Sequence, residues 1–503
     1  MSITARETET KYEMPEGAAL PSLDGLPQVN GTSGPDEQQL EAEYYDTDDL
    51  RLLRAGITLR RRRGGSDAGW HLKLPEGRGI RREIRLPLGQ RRQVPRELAQ
   101  LVRVHTRGAS LRPVARLTTR RQTLVLLDKA GESLAEVASD DVSAQTMGDS
   151  TTVSQWRELE VELTGGDQRL LRAADALLRR DGLRPAGRSA KLERALAGQL
   201  PEPAKPPRLT PASPAGQVVL AYLRDQAETL KSLDPMVRRD EPDSVHQMRV
   251  ATRRLRSTLR TFKRVIGGGD HLAAELKWLG GILGEARDAE VLDDHLQASL
   301  RTVPVEQLIG PVQARVQIHF APVRADTRTA VAAALDSQRY FSLLDELDQL
   351  IAGPRFGPRG AKRAGSVLPR EVRRPYRQTG QWMARARRAE PGPPRDVALH
   401  QARKAAKRAR YAGEVAAPAI GRKAARFTAQ VKNLQSVLGA HQDSVIARQA
   451  ERQLGIEAHL AGENAFTYGL LYEREAQAAA GLRARARRVW KNASRPRYRN
   501  WMG

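Results

Sequence analysis

The sequence of 503 residues contains no cysteine and few aromatic residues, and each absence excludes a class of structure. Without cysteine, neither disulfide bonds nor thiolate metal ligands can form. Aromatic residues make up 4% of the chain, so its cores must consist mainly of Leu, Val and Ala. No apolar run reaches the ~20 residues that a membrane helix needs, and the first residues lack a signal-peptide pattern. We therefore expect a cytoplasmic protein without a membrane partner.

Acidic residues become scarce in the second part of the chain. Residues 1–200 contain 32 Lys and Arg against 29 Asp and Glu, whereas residues 201–503 contain 52 against 30. Most of the net charge of +25 therefore lies in the second part, which carries 52 − 30 = +22. Such an excess of positive charge favours polyanionic partners.

The two parts meet at residues 201–214, which contain six prolines and are typical of a stiff, extended linker. The pattern is strand-like before this linker and helical after it. The predicted segments are a strand-rich domain over 1–200, the linker over 201–214, a helical domain over 215–490 and a basic tail over 491–503. We expect helix breaks at residues 353–369 and 391–394, and a disordered arm from Arg483 to Arg499 that binds polyanions.

Charged residues alternate along the predicted strands of the first domain. Side chains two residues apart on a strand point to the same face. The alternating sets are Glu7, Glu9 and Lys11; Arg60 and Arg62; His71 and Lys73; Arg81, Glu83 and Arg85; Arg116, Thr118 and Arg120; Glu158, Glu160 and Glu162. This pattern predicts a closed or nearly closed barrel whose lumen holds metal ions on its acids and an anionic substrate on its bases. The alternative is an open sheet whose charged faces are solvated and joined by cross-strand ion pairs.

The segment ETETK at Glu7–Lys11 resembles the ExExK motif that opens the CYTH superfamily, the triphosphate tunnel enzymes. Four later segments resemble that family in the same order: YYDTDDLRLLRAGITLRRR (Tyr44–Arg62), GWHLKLP (Gly69–Pro75), WRELEVEL (Trp156–Leu163) and GRSAKLER (Gly187–Arg194). The resemblance covers essentially all of residues 1–200. It implies an α+β domain with an antiparallel β-barrel tunnel, followed here by an all-α domain.

This resemblance also implies roles for the matching residues. Carboxylates suit Mg²⁺ or Mn²⁺, and arginine suits phosphate because its planar guanidinium donates two parallel hydrogen bonds. The implied metal ligands are Glu7, Glu9, Glu158, Glu160 and Glu162. The implied phosphate-binding residues are Lys11, Arg60, Arg62, Lys73, Arg116, Arg120 and Lys191. The residues implied in catalysis are Glu7, Glu9, Lys11 and Glu160. Glu136 and Asp140 or Asp141 are candidates for a second metal or for orienting water, and which carboxylate activates water stays open.

The second part contains an internal repeat. SVHQMRVATRRLR (Ser244–Arg256) resembles ALHQARKAAKRAR (Ala398–Arg410), and His246 and His400 are 154 residues apart. A second pair of segments, Leu276–Asp288 and Val431–Asp443, recurs at an offset of 155. Two matches at nearly one offset predict a pseudo-symmetric pair of helical bundles, at about 215–352 and 370–490.

Each repeat carries a basic stripe on one helical face, because its residues fall at i, i+3, i+7 and i+10. The stripes are His246, Arg249, Arg253 and Arg256, and His400, Arg403, Lys407 and Arg410. They resemble the CHAD domain, named for conserved histidines on α-helices, which implies that these eight residues bind inorganic polyphosphate. For each histidine the alternative is a buried, hydrogen-bonded residue. We expect Asp288 and Asp443 to cap helices or pair with arginine.

The leading hypothesis is a metal-dependent hydrolase that cleaves a phosphoanhydride bond of inorganic tripolyphosphate. Its helical domain would bind polyphosphate and could associate the protein with polyphosphate granules. One alternative is a CYTH enzyme acting on thiamine triphosphate or a nucleotide, including adenylate cyclase, for which Trp70 and Trp156 are the main candidates to stack an organic group. Another is a non-catalytic polyphosphate-binding protein. Sequence-specific nucleic-acid binding is disfavoured because the basic stripes lack interleaved aromatic residues.

Overall fold

The computed structural model describes residues 3–23, 25–77, 80–89, 92–148, 151–187, 190–200 and 207–503. The chain forms two compact units, Met1–Lys205 and Pro206–Gly503. Across the described ranges, no helix combines the length and the apolar character needed to cross a bilayer.

The first unit is a ring of antiparallel strands. The nine strands are β1 (Ile3–Met14), β2 (Gly31–Asp46), β3 (Thr58–Arg63), β4 (Gly69–Gly77), β5 (Ile80–Pro87), β6 (Arg112–Leu127), β7 (Ser133–Thr146), β8 (Val153–Leu163) and β9 (Arg184–Pro185). The order is β5-β4-β3-β2-β6-β7-β8-β1-β9, and β5 also pairs with β1. Eight strands therefore close on themselves, which confirms the predicted antiparallel barrel.

The strands carry their apolar residues on the outer face, so helices cover the outside of the barrel. The helices of this unit are α1 (Arg51–Arg54), α2 (Arg96–Leu101), α3 (Arg103–Thr106), α4 (Gln168–Arg180) and α5 (Lys191–Ala195). Leu159 and Val161 on β8 pack against α4. The side chain of Asp167 accepts hydrogen bonds from the first amides of this helix, as an N-cap does. Burial of apolar surface thus stabilises the barrel from outside and leaves most of its interior polar.

One end of the barrel interior is apolar. Leu117 of β6, Val142 of β7 and Trp156 of β8 point inward there and pack against Leu192 and Leu196, on and just after α5. Because α5 is anchored by this apolar contact, its first residue, Lys191, is carried to the edge of the polar lumen.

The second unit is helical throughout its described length. Its helices are α6 (Ala215–Arg238), α7 (Ser244–Thr261), α8 (Asp270–Arg301), α9 (Val312–Leu335), α10 (Gln338–Ala352), α11 (Ala364–Arg388), α12 (Pro393–Ile420), α13 (Arg422–Leu460), α14 (Phe466–Ala493) and α15 (Pro496–Arg499). Successive helices from α6 to α9 pack on one another, as do those from α11 to α14, and α7 packs on α12. The break predicted at 353–369 is shorter than expected, because α11 already begins at Ala364.

The prediction of a disordered arm from Arg483 to Arg499 is wrong. Helices α14 and α15 span nearly all of this segment, and aromatic residues anchor it to the second unit. The ring of Trp490 lies 5.5 Å from that of Tyr376, and the ring of Trp501 lies 5.7 Å from that of Phe427. These aromatic rings bury apolar surface and hold the segment in place, although its charge pattern alone indicated disorder.

Residues 201–206 of the predicted linker lie outside the described residues. The last part of the linker packs against the start of α11, since the carbonyl oxygen of Ser213 accepts a hydrogen bond of 2.8 Å from the amide of Ala364. Pro214 forms an isolated antiparallel bridge with Arg363. This part of the linker is therefore held by backbone hydrogen bonds to the second unit.

Candidate functional site

The barrel encloses a polar cavity of about 320 Å³. Its lining includes nine of the residues that the sequence placed there: Glu7, Glu9, Lys11, Arg60, Arg62, Lys73, Glu160, Glu162 and Lys191. A charged lumen, predicted from the alternation of charges, is thus present. Glu158 lies just beyond the lining, where it contacts Lys191.

A row of three carboxylates crosses one wall of the cavity. In the strand register Glu9 of β1 faces Glu162 of β8, and Glu162 faces Glu136 of β7. Like charges on directly opposed residues destabilise a sheet. Burial raises the pKa of Glu162 to about 7, and the nearby carboxylates of Glu7 and Glu9 contribute to the same shift. In the described ranges no Lys or Arg forms an ion pair with Glu162. A hard divalent cation would relieve this repulsion, and the carboxylates of this wall, Glu7 among them, are donors of the kind that such a cation prefers.

A second group of carboxylates surrounds an ammonium group. Oxygen atoms of Asp140, Glu158 and Glu160 lie within 4.8 Å of one another, close enough to hold one metal ion. The Nζ atom of Lys191 lies 2.8, 2.7 and 2.7 Å from these three carboxylates. A metal ion bound by all three would therefore have to displace Lys191. Arg188 and Ser189, which belong to the same segment as Lys191 (Gly187–Arg194), lie outside the described residues.

Neighbouring cations keep Asp140 and Glu160 ionised. Burial alone would raise the pKa of Glu160, but Lys11, Lys191 and Arg121 hold that pKa well below its usual value. The Nη2 atom of Arg121 donates to Glu160 at 2.8 Å and to Asp140 at 2.7 Å. Lys11 forms a further ion pair with Glu160. Asp140 and Glu160 in turn hold the pKa of Lys191 well above its usual value, against the effect of burial.

Basic residues concentrate on the wall formed by β3, β4 and β5. They are Arg60, Arg62, Lys73, Arg81 and Arg85. Lys73 lies 2.6 Å from a carboxylate oxygen of Glu7, and Arg60 donates a hydrogen bond of 3.3 Å to the hydroxyl of Tyr44. Burial, followed by the charges of Arg60 and Arg121, lowers the pKa of Arg62 to about 9. Cations crowded in this way favour an anion that shares their charge.

Arg116 and Arg120 do not line the cavity, and their predicted placement is corrected. The side chain of Arg116 is 50% exposed beside Glu43, and that of Arg120 is 68% exposed beside Asp141. The residues of β6 that point inward have odd numbers, so Arg121 lines the lumen in place of Arg120. Arg121 pairs in register with Asp140, while Arg120 pairs with Asp141 on the outside. The sequence gives no signal for this choice, because the facing residues on β7, Asp140 and Asp141, are also two adjacent charges.

The second unit contains a cavity of about 590 Å³ between α7, α12 and α13. The basic residues that line it are His246, Arg253, Arg254, Arg403, Lys407 and Arg410. The two stripes predicted from the repeat therefore meet at one site, with five of their eight residues in its lining. Arg254, which precedes the last position of the first stripe by two residues, joins them.

Cations in this cavity destabilise one another. Burial lowers the pKa of Lys407 to about 6, and the charges of Arg253, Arg403 and Arg249 lower it further. Burial likewise lowers the pKa of Arg253. Asp443 is the carboxylate of the lining, and it lies 3.9 Å from Arg403. The excess of positive charge makes this cavity suitable for a polyanion.

Arg249, Arg256 and His400 lie outside the lining. Arg249 forms an ion pair of 2.7 Å with Asp288, as expected for that aspartate. His400 has its Nδ1 atom 2.6 Å from the side-chain oxygen of Gln442, which matches the hydrogen-bonded alternative. Arg256 lies next to Arg260 on the same helix. These three stripe residues therefore do not share the cavity lining with the other five, and the binding of polyphosphate by all eight stays a prediction.

Comparison with protein families defines the class of this chain. The CYTH domain model matches residues 5–187, and the CHAD domain model matches residues 221–452. The chain therefore belongs to the proteins in which a CYTH domain is followed by a CHAD domain. CYTH domains are metal-dependent and act on triphosphates, and the first unit has the charged tunnel of that class.

Individual proteins similar to this chain are known. Two uncharacterised proteins of Mycobacterium tuberculosis, MT2285 and Rv2226, are each 40% identical to it over 95% of this chain and 94% of the relative. Among solved structures, PptA from Streptomyces chartreusis is 20% identical with a TM-score of 0.47, covering 56% of this chain and 100% of PptA. The CHAD domain from the plant Ricinus communis is 25% identical with a TM-score of 0.44, covering 57% of this chain and 94% of that domain.

Proposed function

We propose that the first unit is a metal-dependent triphosphatase that cleaves a phosphoanhydride bond of inorganic tripolyphosphate. The observation that carries this proposal is the division of the cavity into two walls. Carboxylates predominate on the wall formed by β1, β7 and β8, which also carries Lys11, and basic residues predominate on the wall formed by β3, β4 and β5, which also carries Glu83. An inorganic triphosphate needs both: cations along its length, and acids that hold a metal ion against its oxygens.

The choice of an inorganic substrate rests on the lack of an apolar stacking surface among the cavity residues that the structure describes. Trp70 is 1% exposed and packs outside the barrel near Tyr45, and Trp156 belongs to the apolar end around α5. Tyr44 is the aromatic residue in the lining, and its hydroxyl accepts a hydrogen bond from Arg60. A thiazolium or a nucleobase would therefore find charged groups where it needs an apolar face.

The residues of this chain have separable tasks in such a reaction. Arg60, Arg62 and Lys73 would bind and orient the phosphates. Glu7, Glu9 and Glu162, with Glu160 beside them, would hold Mg²⁺ or Mn²⁺. A divalent cation bound there neutralises phosphate oxygens and polarises the bond that breaks. Positioning and charge neutralisation account for most of the catalysis of phosphoryl transfer, so a preformed charged cavity of this kind is sufficient.

We infer that the second unit binds inorganic polyphosphate in the cavity between α7, α12 and α13. Polyphosphate is a flexible chain of repeated anionic groups without bases, and the described lining offers arginine, lysine and histidine with one aromatic residue, Tyr411. Arg254 and Arg410 already lie near the ring of that tyrosine. The site therefore supports charge recognition better than stacking of bases.

The test is phosphate release from tripolyphosphate with Mg²⁺ or Mn²⁺, compared among the wild type, Glu160→Gln, Glu162→Gln and Glu41→Gln. Glu160 has three cationic partners, so its variant can lose stability as well as activity. Glu162→Gln removes a carboxyl group that has no ion pair among the described residues, and Glu41→Gln is the matched control because Glu41 is exposed on β2. We expect metal-dependent turnover in the wild type and the control, with a loss of about 100-fold or more in Glu162→Gln.

Three outcomes would overturn the proposal. Absence of turnover in the wild type, with polyphosphate still bound, would make this a two-part polyphosphate-binding protein. Much faster turnover of a nucleoside triphosphate or of thiamine triphosphate would replace the inorganic substrate with an organic one. Displacement of polyphosphate by duplex DNA at equal phosphate and salt concentrations would replace polyphosphate with nucleic acid as the ligand of the second unit.

A further inference from the structure

The internal repeat relates a glutamate in one half of the second unit to an arginine in the other. The offset of 154 residues that relates His246 to His400 also relates Arg254 to Arg408 and Arg260 to Glu414. Helices α7 and α12 pack on each other. The position of Arg254 relative to Glu414 in one copy therefore corresponds to the position of Arg408 relative to Arg260 in the other copy. The two halves therefore present the same local arrangement with an acid in one copy and a base in the other.

In the copy with the acid, positive charge is neutralised. The carboxylate of Glu414 lies 3.2 Å from the Nε atom of Arg254 on α7 and accepts a hydrogen bond of 2.8 Å from Arg410 on its own helix. The hydroxyl of Tyr222 donates a third hydrogen bond of 3.0 Å to the same carboxylate. Glu414 thus compensates two arginines that lie at the edge of the polyanion cavity.

In the other copy the acid is replaced and the compensation is lost. Arg260 occupies the position equivalent to Glu414, and its charge acts on Arg256 and on Arg408. Burial and this charge lower the pKa of both guanidinium groups. Arg408 donates a hydrogen bond of 3.2 Å to the side-chain oxygen of Gln378 on α11. Within residues 207–503 no carboxylate forms an ion pair with any of the three arginines.

We propose that Arg256, Arg260 and Arg408 form a second anion-binding subsite, which takes a further stretch of the same polyphosphate chain that occupies the cavity. The proposal rests on the polyphosphate-binding function proposed above for the second unit. Arg260 and Arg408 are exposed and Arg256 is partly exposed, so a ligand can reach all three. Guanidinium groups match phosphate oxygens in shape and charge, and an anion would remove their mutual repulsion.

The subsite lies on the face of α7 that also contributes to the cavity. Arg253, in the cavity lining, and Arg260 are seven residues apart, which is about two helical turns or about 10.5 Å along the axis. A long polyphosphate chain can span that distance, whereas a short anion is confined to one of the two places. The subsite should therefore strengthen the binding of long chains more than that of tripolyphosphate.

The experiment measures the affinity of the full chain for long-chain polyphosphate and for tripolyphosphate as a function of salt. Arg260→Glu places in the first copy the acid that the second copy already has. The matched control is Arg452→Glu, which makes the same change of charge at an exposed arginine of α13. A third variant, Arg253→Glu, removes a charge from the cavity itself.

We expect Arg260→Glu to weaken long-chain binding roughly tenfold relative to Arg452→Glu and to make it less dependent on salt. Equal affinities of these two variants, while Arg253→Glu is clearly weaker, would overturn the subsite and leave the cavity intact. If the wild type does not bind polyphosphate at all, the proposed function of the second unit fails instead. If Arg260→Glu weakens binding of duplex DNA but not of polyphosphate, the three arginines serve a nucleic acid and the proposal is wrong.

Discussion

The Nζ atom of Lys191 lies 2.7 Å from a carboxylate oxygen of Glu160, at the centre of a buried acidic group. This ammonium stands where a metal ion bound by those carboxylates would stand. The ammonium group therefore stabilises the acids in the absence of metal. Because Lys191 is the first residue of α5, the same ion pairs also hold that helix against the lumen.

Removal of this ammonium should make the stability of the first unit depend on divalent cations. We expect Lys191→Met to lower the free energy of unfolding by about 3–5 kcal/mol without metal, because it leaves buried carboxylates uncompensated. Added Mg²⁺ or Mn²⁺ should restore part of the loss. The measurement is thermal unfolding with and without metal, with Lys129→Met, an exposed lysine, as control. An unchanged melting temperature in Lys191→Met would contradict the role of Lys191.

Two adjacent arginines on β6 should differ strongly in function. Arg121 contacts Asp140 and Glu160 in the lumen, whereas Arg120 is largely exposed outside. We expect Arg121→Ala to reduce kcat/KM for tripolyphosphate by about 100-fold or more. We expect Arg120→Ala to change the free energy of unfolding by no more than ~0.5 kcal/mol. Steady-state kinetics and thermal unfolding of the two variants test this contrast. A loss of kcat/KM in Arg120→Ala but not in Arg121→Ala would mean that the strand has the other parity.

Polyphosphate binding to the second unit should weaken as the pH rises. The pKa of Lys407 is lowered to about 6, so near neutral pH this lysine is mostly uncharged until an anion binds. A bound polyanion raises the pKa of Lys407. Above about pH 6 binding is therefore accompanied by uptake of a proton on this lysine, whereas below about pH 6 the lysine already carries the proton. We expect log Kd to increase with pH by at most about one unit per pH unit, and Lys407→Arg to remove that dependence while retaining affinity. Equal slopes in both proteins would exclude Lys407 as the group that takes up the proton.

A buried carboxylate in α13 should set the pH dependence of stability in the second unit. Glu451 is 0% exposed, and burial, together with Glu475, raises its pKa to about 7. Because the folded pKa lies above the unfolded one, this group contributes full stability below about pH 4.5 and loses that contribution as the pH rises through 7. We compare the free energy of unfolding of Glu451→Gln with that of the wild type. We expect this difference to favour the variant by roughly 1–3 kcal/mol more at pH 8 than at pH 5. Thermal unfolding at both pH values tests this, with the exposed Glu473→Gln as control; parallel behaviour of the two variants would contradict it.

Most of the barrel could be predicted because its strands alternate cleanly. On β1 and β8 most charged residues fall at one parity, so the shared face of Glu7, Glu9 and Lys11, or of Glu158, Glu160 and Glu162, follows from position alone. The strand β6 has charges at both parities, Arg120 and Arg121, and its sequence therefore does not decide which one points inward. Pairing with β7 decides it, because only Arg121 lies opposite a buried aspartate.

For the basic stripes of the second unit, too, the sequence predicts which residues share a helical face but not which of them share a cavity. Helical spacing alone places His246, Arg249, Arg253 and Arg256 on one face of α7, and the repeat predicts an equivalent face on α12. Which of these residues share a cavity depends on where the two helices cross and on what α13 brings beside them. Arg256 follows the stripe but lies beside Arg260, while Arg254 leaves the stripe and joins the cavity.

The sequence by itself determined the two-part organisation, the closed charged barrel and the pair of related helical bundles, because strand and helix periodicity are local properties of the chain. The tertiary structure alone decided that Lys191 enters the acidic group and that Arg256, Arg260 and Arg408 lie near one another with no ion-paired carboxylate from residues 207–503. Those relationships join residues distant in the chain, such as Lys191 and Asp140 or Arg260 and Arg408, and only packing brings their charges within reach of each other.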